Sequence, residues 1–235
     1  IGGIETLFKD SAGTVKQYAN EAFRTAGVSA NEYMENVTSF SASLISSLGG
    51  DTAKAAELAN TAMTDMSDNA NKMGSDMKLI TQTYQSLARG NYAMLDNLKL
   101  GYGGTKAEMQ RLIKDAASYK DVQEELNMTV DEGDMSFANM VKAISVVQKK
   151  LGITGTTAKE ASETFSGSFA SMQAAFKDFL GNLTTGGDIS KPLGNLAKTA
   201  STFIFRNFIP MVGNAFKSLP KAISTFLASA KPELE

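Results

Sequence analysis

The stretch NLKLGYGGTKAEMQRLIKDA, Asn97–Ala116, decides how the middle of the chain folds. A glycine-rich turn, Gly101–Gly104, leads directly into Thr105 and Lys106. A phosphate-binding loop of the Walker type needs the pattern G-x-x-x-x-G-K-[ST] after a buried strand. Here the lysine follows a threonine and not a glycine, so a bend between two helices is the stronger interpretation.

The residues around this turn support a bend. Leu95 and Leu98, just before it, keep a helical spacing. We predict that a glycine ends the first helix, that two more make the reversal, and that a threonine begins the second helix. The residues assigned to the turn and its cap are Gly101, Gly103, Gly104, Thr105 and Glu108.

Three helix starts carry the pattern of a capping box, in which a hydroxyl and a glutamate three residues later accept each other's backbone N–H groups. The pairs are Ser29 with Glu32, Thr105 with Glu108, and Thr157 with Glu160. Each such cap contributes about 1 kcal/mol to helix stability. The three pairs predict helices that begin near residues 29, 105 and 157.

Apolar residues three and four positions apart predict an all-α protein. After Ser29 they fall at Tyr33, Val37, Phe40 and Leu44, which marks one helical face. No segment alternates apolar and polar residues in the way a strand does. The predicted helices span residues 5–26, 29–48, 51–73, 75–100 with a break near 90, 105–120, 136–151, 157–183, and 191 onward.

Glycines interrupt this helical pattern at several points, among them 49–50, 152–155 and 186–187. A chain interrupted this often cannot form one rod, so we predict a compact multi-helix bundle with Gly-rich turns. The predicted bundle domain covers residues 1–185. An apolar, basic helical C-terminal tail for oligomerisation or membrane contact covers residues 186–235.

The composition excludes several classes of chemistry. The chain has 235 residues and contains no His, no Cys and no Trp. The usual zinc and transition-metal ligands and any His proton shuttle are therefore missing, and no disulfide can form. The net charge of −2 produces no overall field toward nucleic acid. We expect no cofactor, no metal and no catalytic residue.

Two acidic segments are the remaining candidates for a site. Asp131–Asp134 lacks the D-x-[DN]-x-[DN]-G spacing of a calcium loop and has no carboxylate at the twelfth position, so we expect a solvated loop. Asp65, Asp68 and Asp76 lie in a polar run with asparagines. We expect these three at helix ends and at water-facing positions.

The C-terminal tail carries an apolar seam with heptad spacing. Its members are Phe205, Ile209, Val212, Phe216, Leu219, Ile223 and Phe226. A seam this apolar requires partners, so we expect self-association through it. Pro210 and Pro220 each remove a backbone donor and kink a helix, so a set of short helical segments is the alternative to a smooth coiled coil.

The same tail also fits an anionic membrane surface. Lys198, Arg206, Lys217 and Lys221 supply positive charge, and residues 189–232 contain no Asp or Glu. A basic amphipathic helix suits such a surface, whereas these charges prevent a transmembrane run of about twenty apolar residues. Packing against copies of itself or other proteins, membrane contact and an intramolecular core all stay open.

Four phrases of the sequence are long and ordered: MSDNANKMGSDM (66–77), YQSLARGNYAMLDNLKLGYGGTKAEMQRLIKDA (84–116), LGITGTTAKEASETFSGSFASMQAAFKDFLGNL (151–183) and AGVSANEYMENVTSFSASLISSLGGDTAKAAELA (26–59). They resemble the conserved region of tail tape-measure proteins from long-tailed phages and prophages of Gram-positive bacteria. The resemblance covers residues 21–183 without a gap. Beyond them only the helical, apolar character is shared.

Tape-measure proteins lie inside the tail tube, set its length during assembly, and leave ahead of the DNA to aid genome passage across the host envelope. The resemblance therefore implies a structural and delivery protein, and a segment toward the C-terminal, tip-proximal part of a longer chain. The start at Ile1 without a methionine fits such a piece. Some family members carry a peptidoglycan-cleaving glycosidase or a metallopeptidase, which no stretch here resembles, so we expect no enzyme.

The resemblance also implies partners and a location. The partners are sister chains, tail-tube proteins and tail-tip proteins (distal tail, baseplate hub), with the host membrane contacted during ejection. Genome DNA lies adjacent in the tube, without sequence-specific binding. A homotrimer is chosen partly because of the seam and partly because of the resemblance. The location is the lumen of the virion tail near the tip, then the host cell envelope, after synthesis in the bacterial cytoplasm. The alternative function is a membrane-active or pore-forming helical effector that acts on its own.

Overall fold

Helices and the turns between them make up residues 2–210, the part of the chain that the computed structural model describes, and no strand occurs there. The all-α prediction is confirmed. Within this range the α-helices are α1 (Gly2–Phe8), α2 (Ala12–Thr25), α3 (Ala30–Ser47), α4 (Thr52–Met73), α5 (Met77–Ala88), α6 (Lys106–Ser118), α7 (Lys120–Glu125), α8 (Phe137–Lys150), α9 (Thr156–Glu163), α10 (Phe165–Thr185) and α11 (Ser190–Ser201). Short 3-10 turns lie at Lys9–Ser11 and Leu95–Leu98, and a π-helix follows α11 at Thr202–Phe208.

The chain divides into two compact units, Ile1–Lys159 and Glu160–Glu235. The first unit contains α1 to α8 and the start of α9. The described part of the second contains the end of α9, α10, α11 and the π-helix. Our sequence analysis placed the boundary at residue 185, because glycines interrupt the chain there. In the structure α10 lies on the far side of the division, because it packs against α11.

Helix α4 lies in the core of the first unit and packs against α2, α3, α5 and α8. Asp51 begins the helix by accepting the N–H of Lys54, and Gly74, in the left-handed region with φ of 61°, ends it. One face of α4 is lined by small, fully buried side chains, which let neighbouring helices approach closely. These residues are Ala55, Ala56, Ala59 and Ala62.

Helix α3 buries the face that its spacing predicted. Its ring residue Phe40 meets Phe137 of α8 edge to face, with ring centroids 6.1 Å apart. The hydroxyl of Tyr33 donates to the side-chain oxygen of Asn60 in α4 at 2.9 Å. The buried members of this face are Tyr33, Val37, Phe40 and Leu44.

The first predicted long helix, residues 5–26, is interrupted in the structure. Lys9 adopts a left-handed φ of 50°, and the 3-10 turn Lys9–Ser11 separates α1 from α2. The sequence does not reveal the interruption, because the apolar spacing continues across it from Phe8 to Ala12, both of which are buried.

The predicted helix 157–183 is likewise two helices. Helix α9 ends at Glu163, and the hydroxyl of Thr164 begins α10 by accepting the N–H of Gly167 at 3.0 Å. Gly167 is required there, because a Cβ at this position would lie 2.3 Å from the carbonyl oxygen of Glu160.

The predicted break near Gly90 is present, since α5 ends at Ala88 and Gly90 has a φ of 72°. The prediction that the helix continues to residue 100 is wrong, because only the 3-10 turn Leu95–Leu98 follows the break. The short helix α7 was not predicted. It begins directly after Tyr119. The buried side chain of Gln123 connects it to the end of α6, because its amide donates to the carbonyl oxygens of Ala116 and Ala117.

The caps differ from one helix to the next. Ser29 and Glu32 form the complete capping box at α3. At α6 the Thr105 hydroxyl accepts the N–H of Glu108, but the Glu108 carboxylate accepts the N–H of Gly103 and not that of Thr105. The box is therefore half formed.

The capping box predicted for Thr157 and Glu160 is wrong. Helix α9 begins one residue earlier, at Thr156, and Thr157 already lies inside its first turn. The Thr157 hydroxyl accepts a bond from the side chain of Asn71, and its N–H donates to Asp68. Groups from α4 therefore satisfy the start of α9, which local sequence could not indicate.

Candidate interaction surface and buried polar cluster

The glycine turn at 101–104 is a bend whose polar groups are already paired within the protein. The Glu108 carboxylate accepts the N–H of Gly103 at 3.0 Å and pairs with Arg111, which also donates to the carbonyl oxygen of Gly101 at 2.7 Å. Arg111 and the Gly103 N–H together lower the pKa of Glu108 to about 2. A permanent carboxylate thus occupies the place where a phosphate would need to bind.

Tyr102 fixes the same turn to α6. Its ring is buried, its hydroxyl donates to the Asp115 carboxylate at 2.8 Å, and the Arg111 guanidinium lies 4.3 Å from the ring centroid. Burial, followed by the Asp115 carboxylate, raises the pKa of the Tyr102 hydroxyl. The stretch Asn97–Ala116 therefore joins two helical segments and carries no ligand-binding geometry.

An exposed apolar surface lies on the second unit. We call it the apolar surface. It consists of the large hydrophobic side chains of α10, α11, the π-helix and the residue that follows it that are more than one third exposed. The most exposed is Phe205, at 67%. The members are Phe169, Phe176, Leu180, Leu183, Leu193, Ile204, Phe205, Phe208 and Ile209.

The predicted heptad seam lies partly within this surface. Phe205 and Ile209 are both exposed, at 67% and 50%. They begin the seam as we predicted it, but the helix that carries Phe205 is a π-helix and not an α-helix. The remaining seam residues, Val212, Phe216, Leu219, Ile223 and Phe226, lie outside the described residues.

Positive charge accompanies the apolar surface. Lys198 and Arg206 are exposed on α11 and the π-helix, beside Phe205 and Ile209 in the chain. In the range that the structure describes, we find no helix with the length and apolar character needed to cross a bilayer.

A buried polar cluster in the first unit was missed by the sequence analysis. Asp65, Asp68 and Asn69 of α4 are at most 2% exposed, so the prediction that the two carboxylates face water was wrong. Asp76 does occupy a helix end, because its carboxylate begins α5 by accepting the N–H of Lys78. The missed signal is that residues 62, 65, 66 and 69 continue the α4 stripe of alanines and methionines at helical spacing.

The hydrogen bonds of this cluster connect α4 to α8 and to the Leu95–Leu98 turn. The Asn69 amide donates to the carbonyl oxygen of Leu98 and to the side-chain oxygen of Gln148, each at 2.9 Å. The Gln148 amide in turn donates to the backbone oxygen of Asp65 at 3.0 Å. Asn69 and Gln148 thus replace part of the hydration that burial removes.

Asp68 extends the same cluster to the junction of α8 and α9. Its two carboxylate oxygens accept the N–H of Gly155 at 2.6 Å and the N–H of Thr157 at 2.8 Å. One turn further along α4, Asn71 donates to the Thr157 hydroxyl at 2.8 Å. A charged acceptor forms a stronger hydrogen bond with a backbone N–H group than a neutral one does. The two bonds to Asp68 therefore hold the junction of α8 and α9 firmly.

Asp65 differs from Asp68 because one of its oxygens, Oδ2, is buried without a hydrogen-bond partner. The Asn69 side-chain oxygen and the Tyr84 hydroxyl of α5 are also buried without a partner. Burial raises the pKa of Asp65 to about 7, and the nearby Ser145 hydroxyl acts in the opposite direction. Burial also raises the pKa of Asp68, while the N–H groups of Thr157 and Gly155 lower it.

The acidic segment 131–134 is an ordinary loop. The Asp131 carboxylate accepts the N–H of Gly133, and the Asp134 carboxylate accepts the N–H and the hydroxyl of Ser136, which begins α8. Across residues 2–210, no group of three or more carboxylates is placed to hold a metal ion.

Comparison with known proteins adds no assignment: no protein family, curated protein or solved structure matches the chain.

Proposed function

We propose that this chain is a structural and delivery segment of a phage tail, of the tape-measure type, from the part of the protein near the tail tip. The observation that carries the proposal is that residues 2–210 contain helices and no strand, and that several large apolar side chains of the second unit are exposed. An apolar patch of this kind on a soluble protein is typical of an interaction site. The resemblance of residues 21–183 to tape-measure proteins supplies the class.

The proposed chain acts by packing and release, without covalent chemistry. Helices of the first unit bury their apolar faces against one another, while the apolar surface of the second unit meets sister chains, tail-tube proteins or tail-tip proteins. A homotrimer is the assembly we favour. On ejection the chain leaves ahead of the DNA and contacts the host envelope.

The delivery function predicts that the chain is present in intact virions and lost from particles that have ejected their DNA. The measurement is quantitative mass spectrometry of the tryptic peptide Asp121–Lys142. The tail-tube protein of the same particles serves as the reference. An unchanged ratio of this peptide to the tube protein after ejection contradicts release, and its absence from intact virions contradicts the assignment.

A second candidate is a membrane-active helical effector, which the exposure of Phe205 and Ile209 beside Arg206 favours. The full chain with Phe205→Asp and Ile209→Asp separates the two candidates. The tail proposal expects the wild type to be oligomeric by light scattering and unable to release dye from anionic liposomes, and it expects the double variant to lose mass. The effector expects dye release by the wild type and none by the double variant.

Leu151→Asp is the matched control, because Leu151 is 51% exposed and lies at the end of α8 in the first unit. It adds one negative charge, as each substitution of the double variant does, to a similarly exposed side chain outside the apolar surface. We expect it to change neither mass nor dye release. A wild type that is monomeric and does not act on liposomes contradicts both candidates.

A further inference from the structure

The buried polar cluster places two carboxylates in the core, and only Asp68 has a backbone N–H donor for each of its two oxygens. Asp65 and Asp68 lie three residues apart on the same side of α4. Asp68 receives two backbone N–H groups, whereas Oδ2 of Asp65 receives none. Two like charges this close in a low-dielectric interior repel, so one carboxyl group retains a proton.

The location of that proton follows from the hydrogen bonds. An ionised carboxylate is favoured where N–H groups donate to it, which is the situation of Asp68. A protonated carboxyl group can donate one hydrogen bond. The Asn69 side-chain oxygen, one turn further along α4, is a buried acceptor without a partner in the same cluster. Asp65 is therefore the group that carries the proton.

Among the residues that the structure describes, the groups that act on Asp65 are Ser145, Asp68 and Gln148, and none of them is a cation. From α5 the ionisable group near it is Tyr84, and α8 contributes the uncharged Ser145 and Gln148. The remaining charged groups on these helices face elsewhere. On α8, Lys149 pairs with Glu125 and Lys150 with Asp121, while Lys142 lines a surface cavity with Lys54 and Glu57. Arg24 of α2 pairs with Glu21, and Glu5 of α1 pairs with Lys16. The hydroxyl of Tyr33, the ionisable group of α3 that is buried, bonds Asn60.

We propose that Asp65 and Asp68 form a pH-dependent switch at the junction between α8 and α9, which we call the latch. When Asp65 loses its proton, the hydrogen bonds from the N–H groups of Gly155 and Thr157 to Asp68 weaken. With Asp65 neutral, Asp68 carries the only charge of the buried polar cluster and accepts the N–H groups of Gly155 and Thr157. When Asp65 ionises, the cluster contains two charges, and water must enter to solvate the second.

The junction is the place where the latch opens. Leu151 and Gly155, at the two ends of the loop between α8 and α9, are exposed. The hydrogen bonds of Asp68 to this loop are therefore the part of the cluster that lies nearest to solvent. The bonds of Asn69 and Gln148 join buried groups at both ends, whereas one bond of Asp68 reaches the exposed Gly155. The chain leaves the first unit just beyond this point, at Lys159. The latch thus controls how firmly that end of the first unit is held, and it does not depend on the phage-tail assignment.

The test is residue-resolved amide hydrogen exchange of the full chain at about pH 5.5 and about pH 8, expressed as protection factors so that the intrinsic pH dependence cancels. In the wild type we expect the protection of the Gly155 and Thr157 amides to fall by about fivefold or more between the two pH values, the lower end of typical coupling between sites. The Glu108 amide, bonded to Thr105, is the internal reference and should keep its protection.

Asp65→Asn should abolish the fall, because an amide in place of the carboxyl group cannot ionise. Asp96→Asn is the matched control, since Asp96 is exposed, and it should show the wild-type fall. Constant protection in the wild type, or an equal fall in Asp65→Asn, overturns the proposal. Carboxyl-carbon NMR of the wild type gives an answer that needs no variant. Titration of Asp65 between about pH 5.5 and 8 supports the latch, and titration near about pH 4, as for an exposed aspartate, overturns it.

Discussion

Replacing Gly104 by alanine is expected to destabilise the first unit by about 3 kcal/mol, at the upper end of the usual cost of overpacking. A Cβ at this position would lie 2.4 Å from the carbonyl oxygen of Ala93 and 3.0 Å from its carbonyl carbon. Both are backbone atoms, so no side-chain rotation relieves the clash. The chain near Ala93 would have to move away from the turn, and the buried Leu95 and Tyr102 on either side would lose packing.

Gly103→Ala is the matched control for this prediction. Its Cβ would meet Glu108 Cγ at 3.6 Å, an ordinary contact, and the N–H of residue 103 would keep its bond to the Glu108 carboxylate. We expect a change within about 0.5 kcal/mol. Urea unfolding followed by far-UV circular dichroism measures both variants. Equal midpoints for the two would show that the close approach to Ala93 does not limit the turn.

The second large effect is expected from Asp65→Asn, which should stabilise the chain at about pH 8 and not at about pH 4. In the folded chain burial raises the pKa of Asp65 from an ordinary value of 3.8 to about 7. In the pH range between these values the folded state keeps a proton that the unfolded state has lost. The stability that this group contributes is therefore fully present below about pH 4 and is lost as the pH rises toward about 7.

The size of the effect follows from linkage. Each unit of pKa difference corresponds to about 1.4 kcal/mol, so the cost of the ionised Asp65 reaches about 4 kcal/mol at most. Asparagine preserves the shape of the side chain and has no carboxyl group to ionise. The measurement is the difference in unfolding free energy between variant and wild type from pH 4 to pH 8, which removes the contribution of other carboxylates. A difference that is constant across this range would contradict a raised pKa.

Asp68→Asn provides the comparison, because it changes the same kind of side chain on the same helix. Asparagine keeps one acceptor oxygen and turns an amide NH₂ toward the other N–H group, so one of the bonds to Gly155 and Thr157 is lost. We expect destabilisation by about 1–3 kcal/mol, the cost of a buried group left without its partner. Stabilisation of both variants would show that neither carboxylate is structurally required.

The sequence predicted the helical class and most helix starts because these depend on neighbours in the chain. The spacing of Tyr33, Val37, Phe40 and Leu44 and the cap at Ser29 are local patterns, and the structure contains both. The start of α9 could not be predicted from Thr157, since the groups that satisfy it come from Asp68 and Asn71, more than eighty residues earlier.

The buried polar cluster was mispredicted for a related reason. Asp65 and Asp68 were assigned to water because a carboxylate in a core is costly, and that cost is offset by partners distant in sequence. Gln148 and Gly155 belong to α8 and the loop after it, and nothing in the polar run itself indicates them. The exposed apolar side chains of α10 were likewise missed, because helical spacing alone does not show which face of a helix lacks a neighbour.

The π-helix at Thr202–Phe208 changes how the spacing of the seam is counted. Its wider turn makes residues five apart into neighbours, and the rings of Phe203 and Phe208 accordingly lie 5.7 Å apart at their centroids. A repeat of seven assumes the tighter winding of an α-helix, so the π-helix changes the phase of the seam between Phe205 and Ile209. A partner that docks along Phe205 and Ile209 must follow this phase shift, and an ideal coiled-coil peptide would lose alignment there.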